Sequence, residues 1–312
     1  MLIDNKKETI NNLKKTRYNK FYKCNVLKDF FKIFRILYKL REDLKDQNKI
    51  FIISNTTIFS IYFLFLKLFF YNSKIIIFFH SHIYNKNLLQ LTSGFICSLF
   101  SFFTSKTIYV SKYTRNWWSL FFPFLKLSKQ YVLYNYVELP KKIKRKRHKK
   151  LSIGFIGRFE KEKGIHKFLN FAISTKNKKL DFHIFGRGSQ KVNKLKKKNI
   201  KIYKWSKKEY IYNKINVLFV TSNIENCPLS VLEAKSYGVP TLTTANGGIT
   251  EIIHNNNDGI VLNKKIKKRN LKNKFLYLLK NIKIFESNCY KNSKFFNIEK
   301  NKKNIFKLIL NF

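Results

Sequence analysis

Apolar and polar positions along the chain form two alternating patterns. Continuous apolar runs, which are typical of buried strands, occur at 49–54, 74–79, 107–110, 130–133, 151–156, 180–185, 200–203 and 215–220. Segments with the composition and spacing of helices separate them, at 25–44, 57–71, 88–103, 165–174, 270–284 and 295–312. This alternation predicts βαβ units, and therefore an α/β protein built on parallel sheets.

The stretch from residue 217 to residue 262 carries the clearest local pattern. A buried strand is expected at 215–220, and Pro228 follows it at a position that suits the first turn of a helix, because its φ is fixed and its missing N–H costs nothing there. Gly238 is expected to end that helix as a left-handed cap. A second short strand is predicted at 239–243.

Two carboxylates, Glu225 and Glu233, flank the start of this helix with seven residues between them. A helix N-terminus at the carboxyl edge of a parallel sheet favours phosphate. A carboxylate just before it would repel phosphate, so Glu225 is expected to face hydroxyl groups and Glu233 a second set of them. A diphosphate with hydroxyl groups on both sides describes a nucleotide-sugar. A capped surface helix with two solvated glutamates is an equally simple alternative.

This stretch resembles the Glu-x7-Glu signature of family 4 retaining glycosyltransferases. The pieces that carry the resemblance are Glu225-NCPLSVL-Glu233, AKSYGVPTLTT, NGGITEII and DGIVL. KIIIFFHSH, TIYVSKYTR and YNYVELP resemble pieces of that family's first domain. The resemblance covers about residues 25–312 and implies the GT-B fold, in which two Rossmann-like domains present parallel sheets to a central cleft. It implies an acceptor-side domain at 1–140, a basic linker at 141–150, a nucleotide-sugar domain at 151–294 and a C-terminal helix at 295–312 that crosses back to the first domain.

The resemblance also implies a donor site. Arg158 and Lys163 would hold the diphosphate, because fixed cations stabilise the charge that develops on the leaving nucleoside diphosphate without a metal. Glu225 would hold sugar hydroxyls and act in catalysis, and Glu233 would hold ribose hydroxyls. The other donor-binding positions are Asn226, Cys227, Pro228, Leu229, Gly186, Gly188, Gly247 and Gly248.

A histidine, His80, ends the predicted strand at 74–79. The resemblance implies that it is the active-site histidine that contacts the donor sugar, whereas His82 is expected to have no catalytic role. The implied chemistry is front-face attack with the leaving phosphate as base. No protein nucleophile, metal or cofactor is then expected beyond the nucleotide-diphosphate sugar, which is the substrate.

The chain departs from the family pattern in two places. The family begins with a strand and a glycine-rich loop, whereas residues 1–22 here are polar and basic and are expected to be loosely ordered or helical. The N-terminal domain is therefore predicted to be abbreviated on its acceptor side. Trp205 stands where the family has glycine, which predicts an altered base pocket.

The charge is extreme, with 64 Lys and Arg against 17 Asp and Glu, a formal net charge of +47. Such a balance suits nucleic acid, an anionic membrane surface or an acidic substrate, although codon composition accounts for part of it. Nucleic acid is disfavoured, because the basic residues are dispersed and no nucleic-acid motif is present. Two alternatives to an active transferase stay open, namely a basic binding protein and an inactive GT-B partner subunit.

The four cysteines are scattered without a Cys-x-x-Cys pair, which argues against a disulfide framework or a zinc site and suits a reducing cytoplasm. The apolar run at 58–71 is short for a bilayer span and contains Lys67. The sequence therefore predicts a cytoplasmic protein, with peripheral contact to the anionic inner face of the membrane as a secondary expectation. Its expected partners are the nucleotide-sugar donor and a glycan or lipid-linked acceptor of cell-surface polysaccharide or lipopolysaccharide synthesis.

Overall fold

The computed structural model describes residues 2–4, 22–24, 51–54, 74–82, 88–141, 150–175, 177, 179–188, 199–244, 247–263 and 268–310. The chain divides into two compact units. The first comprises Met1–Tyr109 with Arg115–Tyr131, and the second Val110–Thr114 with Val132–Phe312. The helices predicted at 25–44 and 57–71 lie outside the described residues, as does most of the basic linker. The domain boundaries at 140 and 150 and the crossing of the last helix stay predictions.

The first unit is built on two sheets. Its strands are β1 (Leu2–Asp4), β2 (Tyr22–Cys24), β3 (Phe51–Ser54), β4 (Lys74–Phe79) and β5 (Lys106–Tyr109), and β6 (Lys129–Val132) continues from it into the second unit. β1 and β2 form a parallel pair, and the other four strands form a sheet in the order β3-β4-β5-β6. The parallel pair corrects the expectation for residues 2–4 and 22, because apolar and aromatic residues such as Leu2, Ile3 and Tyr22 favour a strand. Residues 5–21 lie outside the described residues.

Helices cover the sheet of the first unit. They are α1 (Leu88–Leu99), α2 (Lys112–Phe121) and two 3-10 turns, Phe100–Phe103 and Pro123–Leu127. Ile75, Ile76 and Ile77 in β4 are fully buried, as expected for a parallel strand covered on both faces. Trp118 anchors α2: its ring lies 4.3 Å from that of Phe79 and its indole N–H donates to the carbonyl of Ser81 at 2.9 Å.

The second unit contains one six-stranded parallel sheet. Its strands are β7 (Leu151–Ile156), β8 (Leu180–Phe185), β9 (Ile200–Tyr203), β10 (Val217–Val220), β11 (Thr241–Thr243) and β12 (Gly259–Val261). They lie in the order β12-β11-β10-β7-β8-β9, and all pairs are parallel. This is the doubly wound order, in which the chain reverses direction across the sheet between its first and fourth strands. Ligands bind such sheets beyond the carboxyl ends at that point, here the ends of β7 and β10.

The helices of the second unit are α3 (Ile165–Ser174), α4 (Lys208–Asn213), α5 (Leu229–Ser236), α6 (Ile249–Ile252), α7 (Lys268–Lys280), α8 (Ile282–Ser293) and α9 (Ile298–Leu310). The strand–helix alternation predicted here is confirmed, and Gly238 has the expected left-handed φ of 68°. The single helix predicted at 270–284 is wrong. Asn281 leaves helical geometry there, with φ −105° and ψ 20°, and separates α7 from α8.

A buried ion pair fixes α5 to the loop before β12. Lys235 Nζ lies 2.7 Å from Asp258 Oδ2, and the two side chains are 2% and 0% exposed. Asp258 also accepts from the backbone N–H of His254 at 2.9 Å and from the amide of Asn292 at 2.8 Å. The carboxylate is thus fully engaged, which a buried charge requires if it is not to destabilise the fold. α5 therefore has a fixed position at the edge where the site lies.

Within the described residues, no helix combines the length and the hydropathy that crossing a bilayer requires. Cys97, Cys227 and Cys289 are buried free thiols.

Candidate functional site

A cavity of about 260 Å³ lies at the carboxyl ends of β7 and β10, where the doubly wound sheet reverses. The loop after β7 contributes Gly157, Arg158 and Lys163, and the loop after β10 contributes Ser222 and Glu225. The other lining residues are Phe155, Ile156, Trp205, Phe219, Val220, Thr221, Pro228, Leu229 and Ser230. The structure therefore brings Arg158, Lys163, Glu225, Pro228 and Leu229 to one cavity, at the place that the sheet topology favours for a ligand.

The charges in this cavity form a short network. Lys163 Nζ lies 2.6 Å from Glu225 Oε1, and the hydroxyl of Ser222 donates to the same oxygen at 2.7 Å. Glu225 is 7% exposed, so its carboxylate is held in one position. Arg158 pairs with Glu160 at 2.9 Å and remains largely exposed. One wall of the cavity thus carries two cations and a fixed acid.

Gly164 allows the loops after β7 and β10 to approach each other closely. Its φ is +69°, and a Cβ there would lie 2.0 Å from the carbonyl oxygen of Thr221. Only glycine accepts both the left-handed backbone and this contact. Two hydrogen bonds hold the loops together, from Thr221 Oγ1 to the carbonyl of Gly164 at 2.8 Å and from the N–H of Asn223 to the carbonyl of Glu162 at 3.1 Å. The contact places Lys163 directly opposite Glu225.

The N-terminus of α5 forms another wall. Pro228 precedes the helix, and its carbonyl accepts from the N–H groups of Val231 at 3.1 Å and Leu232 at 3.4 Å. Pro228, Leu229 and Ser230 all line the cavity, and no side chain caps the helix. The first N–H groups of a helix have no intrahelical partner and carry partial positive charge. This end of α5 therefore suits an anion.

Glu233 lies one turn further along α5 and is not among the residues that line the cavity. Its Oε1 lies 2.7 Å from Lys208 Nζ, and its Oε2 accepts from the hydroxyl of Tyr212 at 2.9 Å. Burial, together with the charge of Glu233, raises the pKa of Tyr212 well above its usual range. Tyr212 thus stays a neutral donor, and it holds Glu233 in place.

The four predicted glycines are not among the residues that line the cavity. A Cβ on Gly186 would lie 1.9 Å from the carbonyl oxygen of Gly157, and one on Gly188 2.6 Å from the nitrogen of Phe159. A Cβ on Gly247 would lie 2.6 Å from the carbonyl oxygen of Glu225, and one on Gly248 1.9 Å from that of Asn226. These glycines permit close backbone packing that positions the loops of Arg158 and Glu225.

Asn226 and Cys227 are buried and are also not among the lining residues. The amide oxygen of Asn226 accepts from Thr114 Oγ1 at 3.2 Å. Cys227 Sγ accepts from the N–H of Asn135 at 3.3 Å, and its carbonyl accepts from the Asn135 amide at 2.6 Å. Burial raises the pKa of the Cys227 thiol to about 12, so it is neutral at physiological pH. Both residues hold the Glu225 loop against neighbouring segments.

Glu251 in α6 stabilises the start of α2, whose first three residues belong to the second unit. Its carboxylate accepts from the N–H groups of Lys112 at 2.8 Å and Tyr113 at 2.7 Å, and from the hydroxyl of Tyr134 at 2.9 Å. Ser111 Oγ accepts from the N–H of Thr114 at 3.1 Å and thereby satisfies a free donor in the first turn of α2. Negative charge is favourable at this end of a helix.

His80 lies in the first unit, at the carboxyl end of β4 as predicted. Its ring stacks on Phe78 with centroids 6.1 Å apart. The side chain keeps contact with solvent, yet desolvation lowers the pKa of its imidazole. His82 is buried beside Trp117, with ring centroids 5.6 Å apart.

Sequence reasoning missed several residues that the structure places at or near the site. Trp205 lines the cavity and is 57% exposed, whereas the sequence predicted only that it alters the base pocket and did not include it among the donor-binding residues. Ser222 bonds Glu225, and its spacing of three residues is a common local pattern for serine. Tyr212 and Lys208 come from another helix, and no local signal links them to Glu233. In the described ranges, no cluster of three or more His, Cys, Asp or Glu is placed to hold a metal ion.

Comparison with solved structures defines the fold class. HepE from Anabaena in complex with UDP has a TM-score of 0.80 at 14% identity, covering 100% of this chain and 92% of that one. Sucrose-phosphate synthase from Thermosynechococcus elongatus has 0.74 at 15% identity, with 90% and 78% coverage. The lipopolysaccharide outer core galactosyltransferase WaaB, in its apo form, has 0.69 at 17% identity, with 93% and 84% coverage. The predicted GT-B fold is confirmed.

The family follows from the sequence. Residues 138–295, just over half of the chain, match the family model of the glycosyl transferases group 1, and the chain belongs to that family. It is also 30% identical over 146 residues to an uncharacterized 41.2 kDa protein in the cps region of Klebsiella pneumoniae. That match spans 42% of this chain and 41% of the relative's length.

Proposed function

We propose that this protein is a retaining glycosyltransferase of family 4. It transfers a sugar from a nucleoside-diphosphate donor to a glycan or lipid-linked acceptor in polysaccharide synthesis. The observation that carries this proposal is the meeting of Arg158, Lys163 and the N-terminus of α5 in one cavity at the switch point of the sheet. Support also comes from HepE, which was solved with UDP and with UDP-glucose, and from the relative in a cps region.

The diphosphate of the donor would lie between Lys163 and the first turn of α5. Both present positive charge to the same cavity, and Arg158 adds a cation at the exposed side. When the glycosidic bond breaks, the nucleoside diphosphate gains negative charge, and preorganised cations stabilise that charge most in the transition state. The proposed mechanism therefore assigns these groups the role that a metal ion plays in other transferases.

The sugar hydroxyls would bond to Glu225. An ionised carboxylate offers about four acceptor sites, and Lys163 and Ser222 share Oε1. Glu233 would accept the ribose hydroxyls by exchanging its bond to Lys208, whose side chain is more than half exposed. The leaving phosphate would serve as the base for front-face attack, and His80 remains the proposed histidine that contacts the donor sugar.

Ligand-induced stabilisation tests the proposal directly. We expect UDP-sugars to raise the thermal midpoint of the second unit, because a ligand at about a hundred times its Kd stabilises the native form by about 2.7 kcal/mol. The measurement is a thermal-shift series with UDP-, GDP- and ADP-sugars, followed by donor turnover. If no nucleotide or nucleotide-sugar changed the midpoint, the proposal would fail. Binding without turnover towards any acceptor would instead support an inactive partner subunit.

Trp205 supplies a second prediction. It is an exposed aromatic ring at the cavity rim, and stacking of a base on such a ring contributes about 1–3 kcal/mol. Trp205→Ala should therefore raise the Kd for the nucleotide by about tenfold or more. Isothermal titration calorimetry with UDP measures this change. The matched control is Tyr210→Ala, which removes an exposed ring outside the cavity lining and should leave the Kd unchanged. Equal affinity in both variants would refute base stacking on Trp205.

A further inference from the structure

The first unit exposes a cluster of large apolar side chains that the donor site does not use. Its members are Phe102 (69% exposed), Leu120 (76%), Phe121 (57%), Phe124 (47%) and Leu127 (67%), which we call the apolar patch. Large exposed apolar side chains that lie near one another indicate an interaction site.

The members of the patch are held together by their supporting structure. Phe121 ends α2, and the 3-10 turn that carries Phe124 and Leu127 begins two residues later. The hydroxyl of Ser101 donates to the carbonyl of Phe124, which joins this turn to the turn that carries Phe102. Packing between the two turns therefore brings the five side chains to one part of the unit.

Burial along this segment alternates in a way that separates core from surface. Phe122 is 6% exposed and Leu125 is fully buried, whereas their neighbours Phe121 and Phe124 project into solvent. The 3-10 turn is therefore already anchored by its own inward side chains. The outward ones bury only about half of their surface in the fold, and the rest is available to a partner.

The charge around the patch has one sign. No Asp or Glu occurs between Asp46 and Glu138, a stretch that contains nine Lys and Arg residues. Lys126 and Lys129 are exposed within or next to the patch. An uncompensated basic surface attracts an anionic partner. The three phenylalanines could stack on nucleobases, but Leu120 and Leu127 cannot and are among the most exposed members, so the mixed composition favours lipid over nucleic acid.

We propose that the apolar patch docks the protein on an anionic lipid bilayer. The apolar side chains of the patch would enter the boundary between the head groups and the acyl chains. Lys126 and Lys129 would meet the anionic head groups. Buried apolar area and attraction to anionic lipid together set the strength of such peripheral binding. The residues of the patch belong to the first unit and those of the cavity to the second, so the proposal does not depend on the proposed catalytic activity.

Vesicle flotation tests the docking surface. The full-length protein is mixed with vesicles of phosphatidylcholine alone or with added phosphatidylglycerol. We expect binding to the anionic vesicles, and the double variant Phe121→Ser/Phe124→Ser should weaken it by about tenfold or more, since each exposed phenylalanine loses its burial in lipid. Lys126→Gln/Lys129→Gln should weaken binding to the anionic vesicles and bring it closer to binding on phosphatidylcholine.

A matched control removes equally exposed apolar residues from the second unit, Ile284→Ser/Phe306→Ser, and should bind vesicles as the unmodified protein does. Thermal unfolding of each variant, with its response to UDP, shows that the fold is retained. Unchanged vesicle binding by the Phe121/Phe124 variant would overturn the proposal. The proposal would also be overturned if that variant lost affinity for double-stranded DNA or RNA but kept its vesicle binding. That result would identify a nucleic-acid surface.

Discussion

Lys163→Ala is expected to lower the rate of sugar transfer by about a hundredfold to a thousandfold, the range found when one preorganised charge-stabilising group is removed. Lys163 is the cation that the structure fixes most firmly in the cavity, through its 2.6 Å contact with Glu225. Its effect should fall mainly on kcat, because the leaving diphosphate carries more charge in the transition state than in the bound donor. Steady-state kinetics with a UDP-sugar measures the change.

Lys161→Ala is the matched control for this experiment. It removes the same charge from an exposed position on the same loop, outside the cavity, and should retain nearly full activity. Glu225→Gln should also lose activity, because the amide is a weaker acceptor for hydroxyl groups and a weaker partner for Lys163. If Lys163→Ala and Lys161→Ala had similar rates, the charge of the cavity would not be what drives the reaction.

Gly164→Ala should destabilise the second unit by about 2–5 kcal/mol, the sum of a left-handed backbone penalty and an overpacking penalty. The overpacking arises because the new Cβ would lie 2.0 Å from the carbonyl oxygen of Thr221. The loops after β7 and β10 would have to separate, so the variant should also lose donor binding. Urea unfolding followed by a probe of the second unit measures the loss.

Gly238→Ala separates the two penalties. Gly238 has nearly the same φ, 68° against 69°, but its Cβ would approach nothing closer than the carbonyl oxygen of Glu286 at 3.4 Å. This variant should lose only about 1–2 kcal/mol, the backbone penalty alone. Both glycines lie in the second unit, so the same unfolding transition reports both changes. Equal losses would show that the contact with Thr221 contributes nothing.

The sequence predicted the strands that carry the cavity and three charged residues that line it, because each lies directly beyond an apolar run or a helix start. Positions of this kind can be recognised from the apolar pattern of a short segment alone, without knowledge of its tertiary contacts. The break at Asn281 escaped prediction, since apolar spacing continues through both α7 and α8. The pairing of β1 with β2 could not be foreseen either, because residues far apart in sequence supply its hydrogen bonds.

The glycines have a packing role that the motif does not reveal, and their donor-binding role stays a prediction. Gly186, Gly188, Gly247 and Gly248 were expected to bind the donor, and the structure places them against the backbone of the loops that carry Arg158 and Glu225. A sequence cannot distinguish these two uses, because both require the same missing Cβ. Glu233 is similar: its spacing from Glu225 is visible in the sequence, whereas its bonds to Tyr212 and Lys208 depend on how α4 packs beside α5.

The pair formed by Lys163 and Glu225 has a consequence for selectivity. Because the acid already neutralises the lysine, a simple anion such as inorganic phosphate gains less there than it would from an isolated ammonium group. A ligand that also offers hydroxyl groups to Glu225 forms new hydrogen bonds with it, and these offset the free energy lost when the ion pair breaks. If the proposed function is right, this pair would therefore favour molecules that join a phosphate to a carbohydrate over simple phosphates.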